Sequence, residues 1–109
     1  MTTLWNGKDM RAQEVLLQKT LDNYVQGLQK GDLALLQSAF WPPGQFCAQQ
    51  ADTVVCQTFA EVLPTWVRKP DPATRGVIRS YETSDPMARI TYELHFGGKT
   101  FLDFLLLYK

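Results

Sequence analysis

Residues 87–109 read MARITYELHFGGKTFLDFLLLYK, and this stretch decides the fold. From Met87 to Phe96, apolar Ala88, Ile90, Tyr92, Leu94 and Phe96 alternate with polar Arg89, Thr91, Glu93 and His95. A period of two marks an antiparallel strand with one buried face. Gly97-Gly98 supplies a two-residue hairpin turn. Lys99–Lys109 is then the returning strand, in a register that sets Tyr92 opposite Asp103, Ile90 opposite Leu105 and Leu94 opposite Phe101. On that strand Phe101, Leu105 and Leu107 share one face, and Leu102, Phe104, Leu106 and Tyr108 the other. Both faces are apolar, as in a strand flanked on two sides. A long apolar edge strand invites pairing with another chain. The sequence therefore predicts a cover for it: a partner subunit, an exchanged segment, or Thr2-Thr3-Leu4-Trp5.

Upstream, Arg75–Thr83 is a third strand, joined through a turn at Ser84-Asp85-Pro86 to complete a meander. Before it, Thr58-Phe59-Ala60-Glu61 has the spacing of a capping box and opens a helix carrying Phe59, Val62, Leu63, Trp66 and Val67. Pro64 predicts a kink or an early end. Gln45–Gln50 and Thr53–Gln57 form a hairpin around Ala51-Asp52, which makes Cys47 and Cys56 a non-hydrogen-bonded pair with close side chains. The two cysteines are read as free thiols packed side by side, with a reversible disulfide as the alternative. The N-terminal third is helical. Asp9 caps a helix to about Lys30, with Val15, Leu17, Leu21, Tyr24, Val25 and Leu28 as its apolar stripe. Gly31 stops it, and Asp32 caps a short helix from Leu33 to about Phe40 that Trp41-Pro42-Pro43-Gly44 ends. Residues 1–8 are expected to be a flexible segment and 9–109 a single α+β domain.

The chain has 109 residues, with 11 basic and 11 acidic side chains, one His and two Cys. A net charge of zero argues against a duplex nucleic-acid binder. One His and two Cys do not supply a four-ligand structural zinc site, so no metal is expected. No apolar run reaches the length of a membrane span, and the N-terminus lacks a signal-peptide pattern. These readings place the protein in the cytoplasm, with no membrane or nucleic-acid partner. There is no dinucleotide fingerprint, phosphate loop or nucleophilic-serine signature, so no cofactor is expected.

Tyr24-Val25-x-Gly27-x-x-x-Gly31-Asp32, Phe40 followed by proline, the helix ending Trp66-Val67, and Thr100–Leu107 together resemble the nuclear transport factor 2-like superfamily. Within it the chain is most similar to the SnoaL-like group and the family labelled "putative lumazine-binding". The resemblance covers about residues 10–109. It implies a cone: a curved antiparallel sheet wrapped around the long N-terminal helix, with two shorter helices, enclosing an apolar pocket. It also implies a homodimer. Relatives usually continue beyond the strand at Thr100–Tyr108 with one more strand, whereas this sequence stops at Lys109. The superfamily holds isomerases, dehydratases, cyclases, epoxide hydrolases and many non-enzymes, so the fold alone does not assign an activity.

Asp103 is the leading candidate for chemistry. It falls in the middle of the more apolar face, where burial raises a carboxyl pKa and equips it as a general base or a polar anchor. The alternative is a structural carboxylate bonded to a backbone amide, to Tyr92 or to Trp66. Tyr92, and also Tyr24, could donate a hydrogen bond to a developing oxyanion. Tyr24, Phe46, Trp66 and Phe104 are candidate ligand-binding residues, or plain core. His95 lies on the polar face, and a pair with Asp103 needs a different register. Arg75, Arg79 and Arg89 form a solvated face beside Glu82 and Glu93. Three functional readings follow: a non-catalytic domain binding a small apolar molecule, a cofactor-free isomerase, cyclase or dehydratase with Asp103 as general base, and a structural dimerisation module with a filled core.

Overall fold

The computed structural model of the chain describes residues 7–84 and 86–108. Helix α1 spans Gly7–Lys30, so Asp9 lies within it rather than at its cap. The expectations for residues 1–6, including a cover over the last strand, lie outside the described residues, as does Asp85 in the predicted turn. Gly31 ends α1 at φ 65°. Asp32 then caps α2, Leu33–Ser38, its carboxylate accepting the Leu35 N–H at 3.1 Å. This helix is two residues shorter than expected because Ala39 and Phe40 already bond back in tight turns, to Leu36 and Gln37.

Strands β1, Gln45–Gln50, and β2, Thr53–Thr58, form a hairpin with Cys47 opposite Cys56. The structure closes that pair as a disulfide, which corrects the free-thiol reading. The register permits the bond: a directly opposed pair holds the two Cα atoms 4.1 Å apart, so the sulfurs meet without moving the backbone. Thr58 both ends β2 and caps α3, Phe59–Trp66, through the expected capping box with Glu61. Helix α3 stops two residues after Pro64, which has no N–H to offer the preceding turn.

The meander is β3, Arg75–Ser84, β4, Met87–Phe96, and β5, Lys99–Tyr108, paired antiparallel in that order. The β4–β5 register is unbroken and sets Tyr92 opposite Asp103, as expected. Gly97 and Gly98, at φ 62° and 77°, make the turn type that matches the twist of two strands. In β3 the register slips at Arg79, an extra residue between Ile78 and Ser80. The hairpin and the meander are separate sheets of two and three strands.

One core joins these layers. Leu17, Leu21, Tyr24 and Leu28 of α1 and Ala88, Ile90, Tyr92 and Leu94 of β4 cluster with Leu36, Val62 and Leu63. The alternation that predicted β4 is thus the alternation of its burial. Val15 is a correction: it is 65% exposed and outside the core stripe. Asp71 ties the helix to the sheet. Its N–H donates to the Leu28 carbonyl at the end of α1, while its carboxylate accepts from Gly97 N–H at the β4–β5 turn and from Ala73 N–H. Gln29 adds a bond to the Thr74 carbonyl at 2.8 Å.

Candidate functional site

Tyr24 lies on the buried stripe of α1, and Asp103 lies on the inner face of β5. They come from positions 79 residues apart, yet the Tyr24 hydroxyl donates to Asp103 Oδ2 at 2.8 Å. This bond joins the long helix to the last strand across the interior. Burial raises the Asp103 carboxyl above the ordinary carboxylate value, and the bond from Tyr24 opposes that rise. Burial, followed by the nearby Asp103 charge and bond, holds the Tyr24 phenol well above the ordinary tyrosine range. The pair is therefore a proton-bearing phenol against a half-buried carboxylate.

Aromatic rings extend from this pair toward the hairpin. Tyr24 meets Phe40 edge-on with centroids 5.3 Å apart. Phe40 in turn contacts Phe59 at 4.5 Å and Trp66 at 6.1 Å. Trp66 meets Phe46 of β1 edge-on at 5.0 Å. The capping box that starts α3 presents Phe59 and Trp66 to this row, and β1 alternation turns Phe46 inward while Cys47 faces out. Edge-on rings of this kind add to the stabilisation from burial alone. Phe40 and Phe59, which the sequence reading did not place in the site, join it here; their signal was the apolar spacing of α2 and α3.

Tyr92 occupies a different place from the one its cross-strand position suggests. Its ring lies 6.1 Å from that of Tyr24. Its hydroxyl, however, rests over Gly76 of β3, where a β-carbon would overlap it. Tyr92 thus leans toward β3, away from β5. Burial and the charges of Asp22 and Asp103 push its pKa up to about 12. Among the described residues, Asp103 receives its hydrogen bond from Tyr24, not from Tyr92 or Trp66.

Phe104 departs from the ligand-lining expectation: it is on the outer face and 76% exposed. The reason is its parity on β5, one residue from Asp103. His95 also faces outward, where its Nε2 lies 2.6 Å from Glu93 and its Nδ1 lies 3.2 Å from the Thr100 hydroxyl. Glu93 is held by Arg79 through two bonds, and bonds from Arg79 and then His95 lower its carboxyl pKa. Arg89 pairs with Glu82 at 2.7 Å. The predicted solvated face therefore carries an exposed Arg89–Glu82 pair and a half-buried Arg79–Glu93–His95 group, separate from the inner Asp103 site. No group of three or more His, Cys, Asp or Glu positioned for a metal occurs among the described residues.

No helix among the described residues is long and apolar enough to cross a membrane. No curated protein matches the chain. Two solved structures share the fold. One is an NTF-2-like protein of unknown function from Silicibacter pomeroyi DSS-3, with a TM-score of 0.81 and 17% identity, covering 91% of this chain and 85% of that one. The other is an NTF2-like protein of unknown function from Shewanella baltica OS155, with a TM-score of 0.80 and 18% identity, covering 100% of this chain and 86% of that one. At such identities the likeness speaks for the fold. The model of the family described as "Putative lumazine-binding" matches residues 12–109, nearly the whole chain, and the protein belongs to that family, within the nuclear transport factor 2-like fold.

Proposed function

We propose that the protein is a non-catalytic small-molecule-binding domain whose ligand lodges against Asp103 and the ring row of Tyr24, Phe40, Trp66 and Phe46. One observation carries this reading: a half-buried carboxylate on the inner sheet face is held by a single phenol and bordered by aromatic rings. An ionised carboxylate only accepts hydrogen bonds, and each oxygen can take more than one. The matching ligand is a flat, largely apolar molecule that carries an N–H or O–H donor. Its rings would stack or pack edge-on against the aromatics while its donor reaches Asp103. The family description supports the small-molecule reading and offers lumazine as a first probe.

The catalytic alternative, with Asp103 as base, lacks a ready oxyanion donor. A phenol has one proton to donate, and that of Tyr24 is already committed to Asp103. The Tyr92 hydroxyl lies at Gly76. The structural-module alternative draws support from the same Tyr24–Asp103 bond, which satisfies both groups without a ligand. Homodimer formation is part of the proposal. The cytoplasmic location expected from the sequence is opposed by the disulfide, since such bonds persist mainly in oxidising compartments.

Titration calorimetry with lumazine and a small panel of flat heteroaromatic compounds tests the reading. Binding by the native chain that Asp103→Asn weakens tenfold or more supports it. No binding to any panel member, together with native mass spectra free of any adduct, overturns it in favour of the structural module.

A further inference from the structure

The Cys47–Cys56 disulfide lies one residue from the ring row. Phe46 meets Trp66, and Cys47 follows Phe46 on the outer side of β1. Across the hairpin, Cys56 lies two residues before Thr58, the cap of the helix that carries Trp66. The bond therefore ties the strand that carries Phe46 to the segment that carries Trp66.

Little else holds this hairpin shut. It is a two-stranded sheet of its own, and such hairpins are marginal alone. Strand β2 is exposed from Thr53 to Gln57, and Phe46 is the hairpin residue that packs against the core. Strand β1 reads QFCAQQ, and apart from Phe46 it has no β-branched or aromatic residue. The turn is also unfavourable. Ala51 stands at φ 54° in the first turn position, a conformation that suits glycine. A side chain in that conformation persists only where the surroundings enforce it. Here the covalent cross-link supplies the constraint. That cross-link is itself open to attack. Both cysteines are exposed, and exposed disulfides are the labile ones, because an attacking thiolate has to reach a sulfur.

We propose that the Cys47–Cys56 disulfide is a redox clasp on the ring row. In the oxidised chain it holds Phe46 against Trp66, and reduction by a dithiol releases that wall and with it the bound molecule. A thiolate of the dithiol attacks one sulfur, the bond between Cys47 and Cys56 breaks, and a mixed disulfide forms while the departing cysteine takes a proton. The second thiol of the dithiol then displaces the remaining cysteine, which also takes a proton. Two electrons and two protons have passed: the chain ends with two thiols and the dithiol ends as a disulfide. Affinity then falls with the fraction of time for which the wall stands closed. Release of a ligand rests on the small-molecule reading above; the opening of the hairpin does not.

Trp66 reports the opening once Trp5→Phe and Trp41→Phe leave it as the single tryptophan of the full-length chain. Acrylamide quenching is measured before and after dithiothreitol, with far-ultraviolet dichroism to follow the fold, and again with Cys47→Ser/Cys56→Ser added. Dithiothreitol should reduce the bond without denaturant, as iodoacetamide labelling read by mass shows, and should raise the quenching constant at Trp66. The serine pair should match the reduced chain and ignore dithiothreitol. Lumazine, or the tightest-binding compound of its panel, should bind the reduced chain roughly threefold or more weakly, as for a wall closed a third of the time or less. Equal quenching of the oxidised and reduced chains overturns the proposal. So does a bond that dithiothreitol reaches only in denaturing urea, or loss of the whole fold on reduction. Equal affinity of the two forms for a compound that binds overturns it too. Trp66 uncovered by reduction, with no compound binding either form, supports the clasp and overturns only the small-molecule reading.

Discussion

Asp103 shows how a residue's neighbours set its effect on stability. Burial raises its folded pKa above the unfolded value, against the smaller pull of the Tyr24 bond. The folded state therefore binds the proton more tightly than the unfolded chain. Its contribution is fully present below the unfolded pKa and is lost as pH rises through the folded one. Glu93 has the opposite sign: Arg79 and His95 lower its pKa, so its contribution is lost as pH falls. Asp103→Asn keeps an oxygen that accepts from Tyr24 but removes the titration. Urea midpoints across the range just above ordinary carboxylate values should thus fall less with rising pH in the variant; parallel curves would refute the assignment. Gly76 gives a steric counterpart. A methyl there overlaps the Tyr92 hydroxyl, so Gly76→Ala must displace a core ring. A loss of about 1–3 kcal/mol is expected, as for overpacking generally. Relief of that loss by Tyr92→Phe in the same chain, measured as a double-mutant cycle, checks the cause.

At the scale of elements, the β1–β2 hairpin stands apart. It forms its own two-stranded sheet and packs chiefly on α3. Isolated two-stranded hairpins are marginal in water. The Cys47–Cys56 bond, spanning 9 residues of separation, closes this one. The chain-entropy relation for so short a loop gives about 2–3 kcal/mol. Reduction should therefore speed amide exchange in residues 45–58 much more than in β4, as mass-resolved exchange with and without dithiothreitol would show. Equal change in both regions would mean that the hairpin is not an independent unit. Because Phe46 reaches Trp66 from this hairpin, the same reduction should also alter tryptophan fluorescence. Both cysteines were legible as an opposed pair from the turn length alone. The bond between them was not, since register brings sulfurs close but oxidation depends on the surroundings.

For the molecule as a whole, three helices and the three-stranded sheet share one core, and Phe46 of the hairpin packs against it. The homodimer proposed above would link folding to association. The melting temperature should then rise with protein concentration. A native melting temperature independent of concentration would count against the homodimer. The inner site belongs to this scale too: its two polar members come from the first helix and the last strand, and only the closed layers bring them together.

The sequence by itself determined the elements and the strand register. Period-two and period-3.6 patterns, the capping box and the two-residue turns are local, and local sterics and hydrogen bonding suffice to read them. That is why Tyr92 opposite Asp103 and Cys47 opposite Cys56 could be stated from spacing. Tertiary structure alone decided which side chains meet. Tyr24 rather than Tyr92 bonds Asp103, because the hydroxyl of Tyr92 is drawn to the space left by Gly76 on the neighbouring strand. Asp71 bridges the helix end and the β4–β5 turn from an exit loop with no pattern to announce it. Such contacts depend on the distance and tilt between layers, which packing sets and which no periodicity along the chain encodes.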